Sequence, residues 1–162
     1  MTMNDIAVSV ITVTFNAEDC IQRTLDSVLM QTYADVEHII MDGASSDGTA
    51  DIARRYRDAH TDRRIVVVSE PDKGLYDAMN KAMAIASGTY LCFLNAGDKL
   101  HSASSLEEVV RAAACADAHG LAGVVYGNTD IVDADGMRLR ARRLAPPEKL
   151  TSRSFCNGML VC

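Results

Sequence analysis

A doubly wound α/β domain on a mostly parallel sheet is what this 162-residue sequence predicts. Three observations predict it. β-Branched apolar runs alternate with amphipathic helical stripes, the strand-helix pairs follow one another directly, and breaks rich in Gly, Asp and Ser separate them. Parallel neighbours joined through helices then require right-handed crossovers. The length suits about one domain and is enough to bury a core without cross-links.

Each element has its own signal. "IAVSVITVT" (6–14) is a β-branched run of the kind found in a strand covered on both faces, and Ile21, Leu25, Val28 and Leu29 then share one helical face. "VEHIIMD" (36–42) is a second strand; "GASSDGT" breaks the chain after it and offers Ser46 or Asp47 as N-cap to a helix carrying Ile52, Ala53 and Tyr56. "RIVVVSE" (64–70) is a third strand, followed by a helical stripe of Leu75, Met79, Ala82, Met83 and Ala86 that Gly88 stops. "TYLCFLN" (89–95) is a fourth, and the helix after it opens with a capping box at Ser104/Glu107 or Ser105/Glu108 and closes at Gly120. "LAGVVYG" (121–127) supplies a fifth strand, and "TDIVDADGMRLRAR" a hairpin turning at Asp135-Gly136.

Composition narrows the partners. With 48% hydrophobic residues, 23% charged residues and a net charge of -6, the chain reads as a soluble globular protein with no electrostatic case for nucleic acid. The one basic cluster, "RLRARR" (138–143), reads as the face of an exposed strand. Cys20, Cys92, Cys115, Cys156 and Cys162 lie far apart without zinc or disulfide spacing, which predicts reduced thiols and a cytoplasmic protein. The N-terminus lacks a basic leader and a cleavage site, and no apolar run approaches the roughly 20 residues of a membrane helix.

In an open parallel sheet, ligands bind at the C-terminal ends of the strands. Here those ends read Thr14-Phe15-Asn16, Asp42-Gly43, Glu70-Pro71-Asp72-Lys73 and Asn95-Ala96-Gly97-Asp98. Any one of these is an ordinary turn. Several carboxylates on one edge, however, repel one another unless a cation or a donor-rich ligand joins them, and a hard divalent ion completed by phosphate oxygens is the simplest solution. A dinucleotide site needs a glycine-rich turn after strand one, where "TFNAEDC" has no glycine; a Walker loop, a nucleophile elbow and a Cys/His pair are absent too.

Together, "VITVTFNAEDCIQRTLDSVLMQ", "EHIIMDGASSDGT", "SEPDKGLYDAMNKAMAIASGTYLCFLNAGD" and "VVYGNTDIVDADG" resemble the family 2 glycosyltransferases of the GT-A fold, in the branch of bacterial capsule, O-antigen and exopolysaccharide assembly. The resemblance implies transfer of a sugar, with inversion, from a nucleotide-diphosphate donor to a hydroxyl of a sugar or lipid-linked acceptor. It places Thr14, Phe15 and Asn16 at the nucleotide, Asp42 at its base, and Asp98 as the acid that holds Mn2+ or Mg2+ against the diphosphate. Gly97 stands where the commoner form has another acid. Glu70, Lys73 and Asp77 join the donor site, with Lys73 or Asp77 near the diphosphate or donor sugar, while Tyr76, Met79 and Asn80 either line it or pack the helix.

The whole chain, 1–162, then reads as one domain: 6–100 as the nucleotide-sugar core, 101–162 as a helix, a hairpin and the start of an acceptor half. The family's base motif would follow Cys162, which predicts donor binding with poor transfer and an exposed apolar segment at Phe155, Met159, Leu160 and Val161 that favours self-association. A lipid-linked acceptor would bring a cytoplasmic protein to the inner face of the membrane. Two other readings are a non-catalytic nucleotide-sugar-binding or partner module and a metal-dependent nucleotidyltransferase, the latter disfavoured by "TFNAED".

Overall fold

The computed structural model describes residues 7–117, 124–125, 127–133 and 136–141. The chain divides into two compact units, Met1–Leu121 and Ala122–Cys162.

In the first unit, β1 (Val8–Thr14), β2 (Val36–Asp42), β3 (Arg64–Ser69) and β4 (Tyr90–Phe93) form an all-parallel sheet in the order β3-β2-β1-β4. Every residue of β1 is buried, as a β-branched run without alternation demands. One face packs Ile11, Val13, Ile39 and Met41 against Ala78 and Ala82 of α3 (Leu75–Ile85). The other packs Ile40 against Ile21 and Leu25 of α1 (Ile21–Leu29) and Ala53 and Tyr56 of α2 (Thr49–Ala59). Ile11, Ile21, Leu25, Ile39 and Ile40 are fully buried, each worth about 1.5–3 kcal/mol relative to exposure.

Local details depart from the sequence reading in physically instructive ways. The buried stripe of α3 is Ala78 and Ala82 with Met79 and Ala86 beside them, while Leu75 and Met83 are exposed: small alanines let the helix approach the sheet and leave the larger side chains outside. The N-cap of α2 is Gly48, and neither Ser46 nor Asp47 holds that position; the Asp47 carboxylate accepts from the Thr49 amide (3.0 Å) one residue earlier than a cap would. Helix α3 ends at Ile85, before Gly88, and the ladder of β4 stops at Phe93, although the Leu94 and Ala96 amides still donate to Ile11 and Val13. α4 (Ser105–Asp117) opens differently from either predicted box: Ser104 Oγ donates to Glu108 Oε1 (2.8 Å), and Gln31 Oε1 accepts from the Leu106 amide (3.0 Å).

In the second unit, β5 (Asp130–Val132) and β6 (Arg138–Ala141) form the antiparallel hairpin. Gly136, at φ +80, sits in its turn, and the exposed Arg138 pairs with Asp130 at 2.8 Å, as a basic strand face should. Val124, Val125 and Gly127 of the predicted fifth strand belong to no strand. Gly120, Asp135, Glu148 and the segment with Phe155, Met159, Leu160 and Val161 lie outside the described residues.

Candidate functional site

The loops after β1 and β2 are stitched together at the C-terminal edge of the sheet. Asn16 (φ 48) and Ala44 (φ 59) turn through the left-handed region. Asn16 Oδ1 accepts from the Ser46 amide (2.9 Å), its own amide donates to Ser45 Oγ (2.8 Å), and Glu18 Oε2 accepts from the Gly48 amide (2.6 Å). Asp47 Oδ2 in return accepts from the Glu18 amide (3.1 Å). Below this seam lies the fully buried Asp42, whose carboxylate accepts from Ser45 Oγ, from the Ser45 amide (3.1 Å) and from Ser69 Oγ (2.6 Å). Three donors compensate the burial of a charge that would otherwise be prohibitive.

Beside the seam the surface opens. Phe15 is 64% exposed, an unusual position for a Phe. A Cβ at Gly43 would lie 3.3 Å from its ring and 2.5 Å from Asp72 Oδ2, so the glycine leaves both groups room over bare backbone. At the neighbouring strand ends of β1 and β4, Thr14 Oγ1 and Asn95 Oδ1 are buried without a hydrogen-bond partner. Buried polar atoms are normally satisfied, so this pair marks where a ligand or water belongs.

The turn after β4 is pinned to α1. Thr24 Oγ1 accepts from the Gly97 amide (2.9 Å) and donates to the Asp98 carbonyl (2.7 Å). Gly97 has φ +96, and a Cβ there would stand 3.3 Å from Arg23 Nη2. The Asp98 carboxyl is exposed at this turn; partial desolvation raises its pKa, and the charge of Arg23 opposes the rise. Sequence reasoning missed Arg23, and its only signal was the glycine at 97 that leaves it room.

Of the other predicted site residues, Glu70 and Asp77 are engaged with Lys81, whose ammonium lies 2.9 Å from Glu70 Oε1 and 3.7 Å from Asp77 Oδ2 and also donates to the Pro71 carbonyl (2.7 Å). Asp77 Oδ2 in addition accepts from the Lys73 amide (3.0 Å), which closes the turn into α3. Lys73, Tyr76 and Asn80 are exposed, whereas Met79 packs against the core. Thr14, Phe15, Asp42 and Asp72 are thus gathered on one side of the edge, Asn95 and Asp98 on the other.

Residues 9–162 match the family description "Glycosyl transferase family 2". The chain belongs to this family. It is 38% identical over 120 residues to the PGL/p-HBAD biosynthesis glycosyltransferase of Mycobacterium bovis (strain BCG / Pasteur 1173P2), covering 74% of this chain and 45% of that protein. To the putative teichuronic acid biosynthesis glycosyltransferase TuaG of Bacillus subtilis it is 46% identical over 93 residues, 57% of this chain and 36% of the relative. It therefore spans less than half the length of these relatives. Among solved structures, it resembles the Pyrobaculum calidifontis mannosyltransferase PcManGT in complex with GDP-Man and Mn2+ (TM-score 0.63, 29% identity, 65% of this chain and 32% of that one). It also resembles S. aureus TarS 1-349 in complex with UDP-GlcNAc (TM-score 0.61, 27% identity, 71% and 32%). The GT-A fold expected from the motifs is the one these neighbours share.

For a family 2 glycosyltransferase the metal question is one of donor count. Among the described residues no three His, Cys, Asp or Glu side chains converge on one point. A single exposed carboxylate, Asp98, does fit a hard cation that arrives with phosphate oxygens and keeps much of its water, because Mg2+ sites in phosphate chemistry commonly use one or two carboxylates.

Proposed function

We propose that this chain forms the donor-binding part of an inverting glycosyltransferase, which moves a sugar from a nucleotide-diphosphate donor to a hydroxyl in bacterial surface polysaccharide or glycolipid synthesis. One observation carries the reading. At the C-terminal sheet edge, an exposed aromatic ring and a buried carboxylate stand with the unpartnered Thr14 hydroxyl, and the unpartnered Asn95 oxygen lies across the edge, a constellation that suits a base and its ribose. The nucleotide-sugar complexes of PcManGT and TarS support it.

In this scheme Phe15 stacks on the base. Asp42, held by Ser45 and Ser69, fixes the loop beneath it, while Thr14 Oγ1 and Asn95 Oδ1 gain partners from the donor. Asp98 holds Mn2+ or Mg2+ where the diphosphate lies, and the cation, when bound, neutralises charge on the leaving diphosphate. Glu70 and Asp77 position Lys81 and the turn that presents Lys73. With Asp42, Glu70 and Asp77 so committed, none of these three serves as the acceptor's base. The acceptor is a sugar or lipid-linked sugar. The protein works on the cytoplasmic side, at the membrane periphery; no helix among the described residues is long and apolar enough to span.

A thermal-shift titration with UDP, GDP, dTDP and CDP, each with Mn2+ or with EDTA, tests this. Ligand at about 100 times Kd adds roughly 2.7 kcal/mol, and each kcal/mol moves the midpoint by about 2–4 °C at this size. One nucleotide is expected to shift the midpoint and Phe15→Ala to remove about half of the shift; a cooperatively melting chain that responds to none of the four would overturn the reading.

A further inference from the structure

We propose that the Asp72 carboxylate reads the edge of the base that stacks on Phe15, and so selects nucleoside diphosphates whose base presents a ring N–H, as uracil, thymine and guanine do. The inference rests on the donor-site reading and deepens it. It names the class of nucleotide and gives its selection to a residue other than Asp42, the position from which base contact was expected.

The geometry around Gly43 carries the argument. A Cβ on this residue would have Asp72 Oδ2 at 2.5 Å and Phe15 Cδ2 at 3.3 Å, so an acceptor oxygen and the rim of an exposed ring approach one point over bare backbone. The Gly43 amide donates to the Thr14 carbonyl (2.9 Å), which ties that backbone to the end of β1. Asp72 is set by its other oxygen: Oδ1 accepts from the Gly74 amide (2.7 Å) in the turn that leads into α3. Among the described residues no hydrogen-bond donor reaches Oδ2, and the side chain is half-buried, so this oxygen is held in place and still accessible to a ligand.

The other acids on this side of the edge are committed elsewhere. Both oxygens of the fully buried Asp42 are taken by Ser45 and Ser69, and Glu70 and Asp77 hold Lys81. Asp72 Oδ2 is therefore the carboxylate oxygen placed to meet a base on the Phe15 ring.

Its chemistry defines the preference. An ionised carboxylate accepts hydrogen bonds and cannot donate them. Uracil and thymine offer it a ring N–H, and guanine offers one with an amino group beside it. Cytosine and adenine carry a bare ring nitrogen at the corresponding position, whose lone pair faces the negative oxygen, and only the neighbouring amino group can donate. Stacking does not distinguish these cases, because every base has a π face. The ring thus contributes affinity, and Asp72 contributes choice.

Calorimetric titration of the full chain with UDP, dTDP, GDP and CDP, in Mn2+ throughout, tests the proposal without requiring turnover. At least one of the first three is expected to bind about tenfold or more tighter than CDP, the effect of one hydrogen bond to a charged group. Methylating the ring nitrogen of that preferred nucleotide should bring its affinity down to the level of CDP. D72N keeps an oxygen for the Gly74 amide and turns an N–H2 toward the base, so it should weaken the preferred nucleotide about tenfold, strengthen CDP and close the gap between them. D72A should close the gap by weakening the preferred nucleotide alone. Equal wild-type affinity for all four, tolerance of the ring methyl group, or D72N with the wild-type ratio would overturn the role of Asp72 while leaving the donor site standing. A purely structural Asp72 would weaken all four nucleotides alike and leave the ratio unchanged. Absence of binding to any of the four, by a chain that melts cooperatively, would remove the donor site and this inference together. The methylated nucleotide needs no variant, and melting curves of D72N and D72A separate lost selection from lost fold.

Discussion

Strand β2 carries a buried carboxylate near each end, and the two are used in opposite ways. Glu37, 9% exposed at the N-terminal end, accepts from Ser9 Oγ (2.7 Å), the Ser87 amide (3.0 Å) and Ser87 Oγ (2.9 Å). These donors belong to β1 and to the α3–β4 connection, and the adjoining backbone is so tight that a Cβ at Gly88 would stand 2.5 Å from the Ser9 amide nitrogen. Asp42, at the other end, takes its donors from a loop serine and from Ser69, and its surroundings include an exposed ring and atoms still lacking partners. One end closes the fold; the other is where we propose that the donor binds. Burial of a carboxylate alone does not reveal function, whereas the state of the polar atoms around it does.

The largest effect expected from this contrast is on stability at the closed end. Glu37→Ala removes the acceptor for three donors and should destabilise by about 3 kcal/mol, read as a fall in midpoint of about 6–12 °C, with nucleotide affinity of the folded protein unchanged. A parallel loss of affinity would break the division between the two ends.

Next comes pH. His38, buried in β2 between Thr12 Oγ1 (2.9 Å) and the Tyr56 hydroxyl (3.3 Å), has its pKa pushed down to about 3 by desolvation, while burial and then the charge of Asp26 push Tyr56 up to about 12. The unfolded chain takes up a proton at His38 below about 6.5 that the native state refuses, so stability should fall by about 2 kcal/mol between pH 7 and pH 5. His38→Gln is expected to flatten that slope in melts across this range. Burial raises the pKa of Glu37, but hydrogen bonds from Ser9 and Ser87 and the charge of Arg64 outweigh it and leave the value lowered. Its contribution is present above the ordinary carboxylate pKa and is lost as pH drops through the lowered one, so it adds a separate loss below the His38 window.

Two glycines sharpen the contrast further. Gly88→Ala meets backbone and should cost about 1–3 kcal/mol. Gly43→Ala meets the movable Asp72 carboxylate and the Phe15 ring, and should cost under about 1 kcal/mol while weakening nucleotide binding. Equal midpoints for the two variants would contradict this. The smallest stability change, under about 0.5 kcal/mol, is expected for Phe15→Ala, which should nevertheless weaken nucleotide binding about tenfold, as loss of base stacking does.

Strands β1 and β2 were legible because they are buried on both faces and read as unbroken apolar runs; β3 and β4, partly exposed at the two edges of this sheet, were legible from their β-branched and aromatic residues. Helix α3 was misread because hydropathy favours Leu75 and Met83 over the alanines that let a helix come close. The site was legible as a list of polar strand ends, and Thr14, Phe15, Asp42 and Asp98 do stand on one edge. What spacing does not encode is commitment: that Asn16 holds Ser46, that Glu70 and Asp77 share Lys81, and that Arg23 reaches the turn are outcomes of packing between segments distant in sequence.

The seam between the β1 and β2 loops has a kinetic consequence. Asn16, Glu18 and Asp47 tie the two loops together through the chain's own groups, so a nucleotide at the proposed site would meet a surface held by the protein itself and little ordering would be deferred to the bound state. Association should therefore proceed at similar rates for good and poor nucleotides, and selectivity should be expressed in how long each one stays.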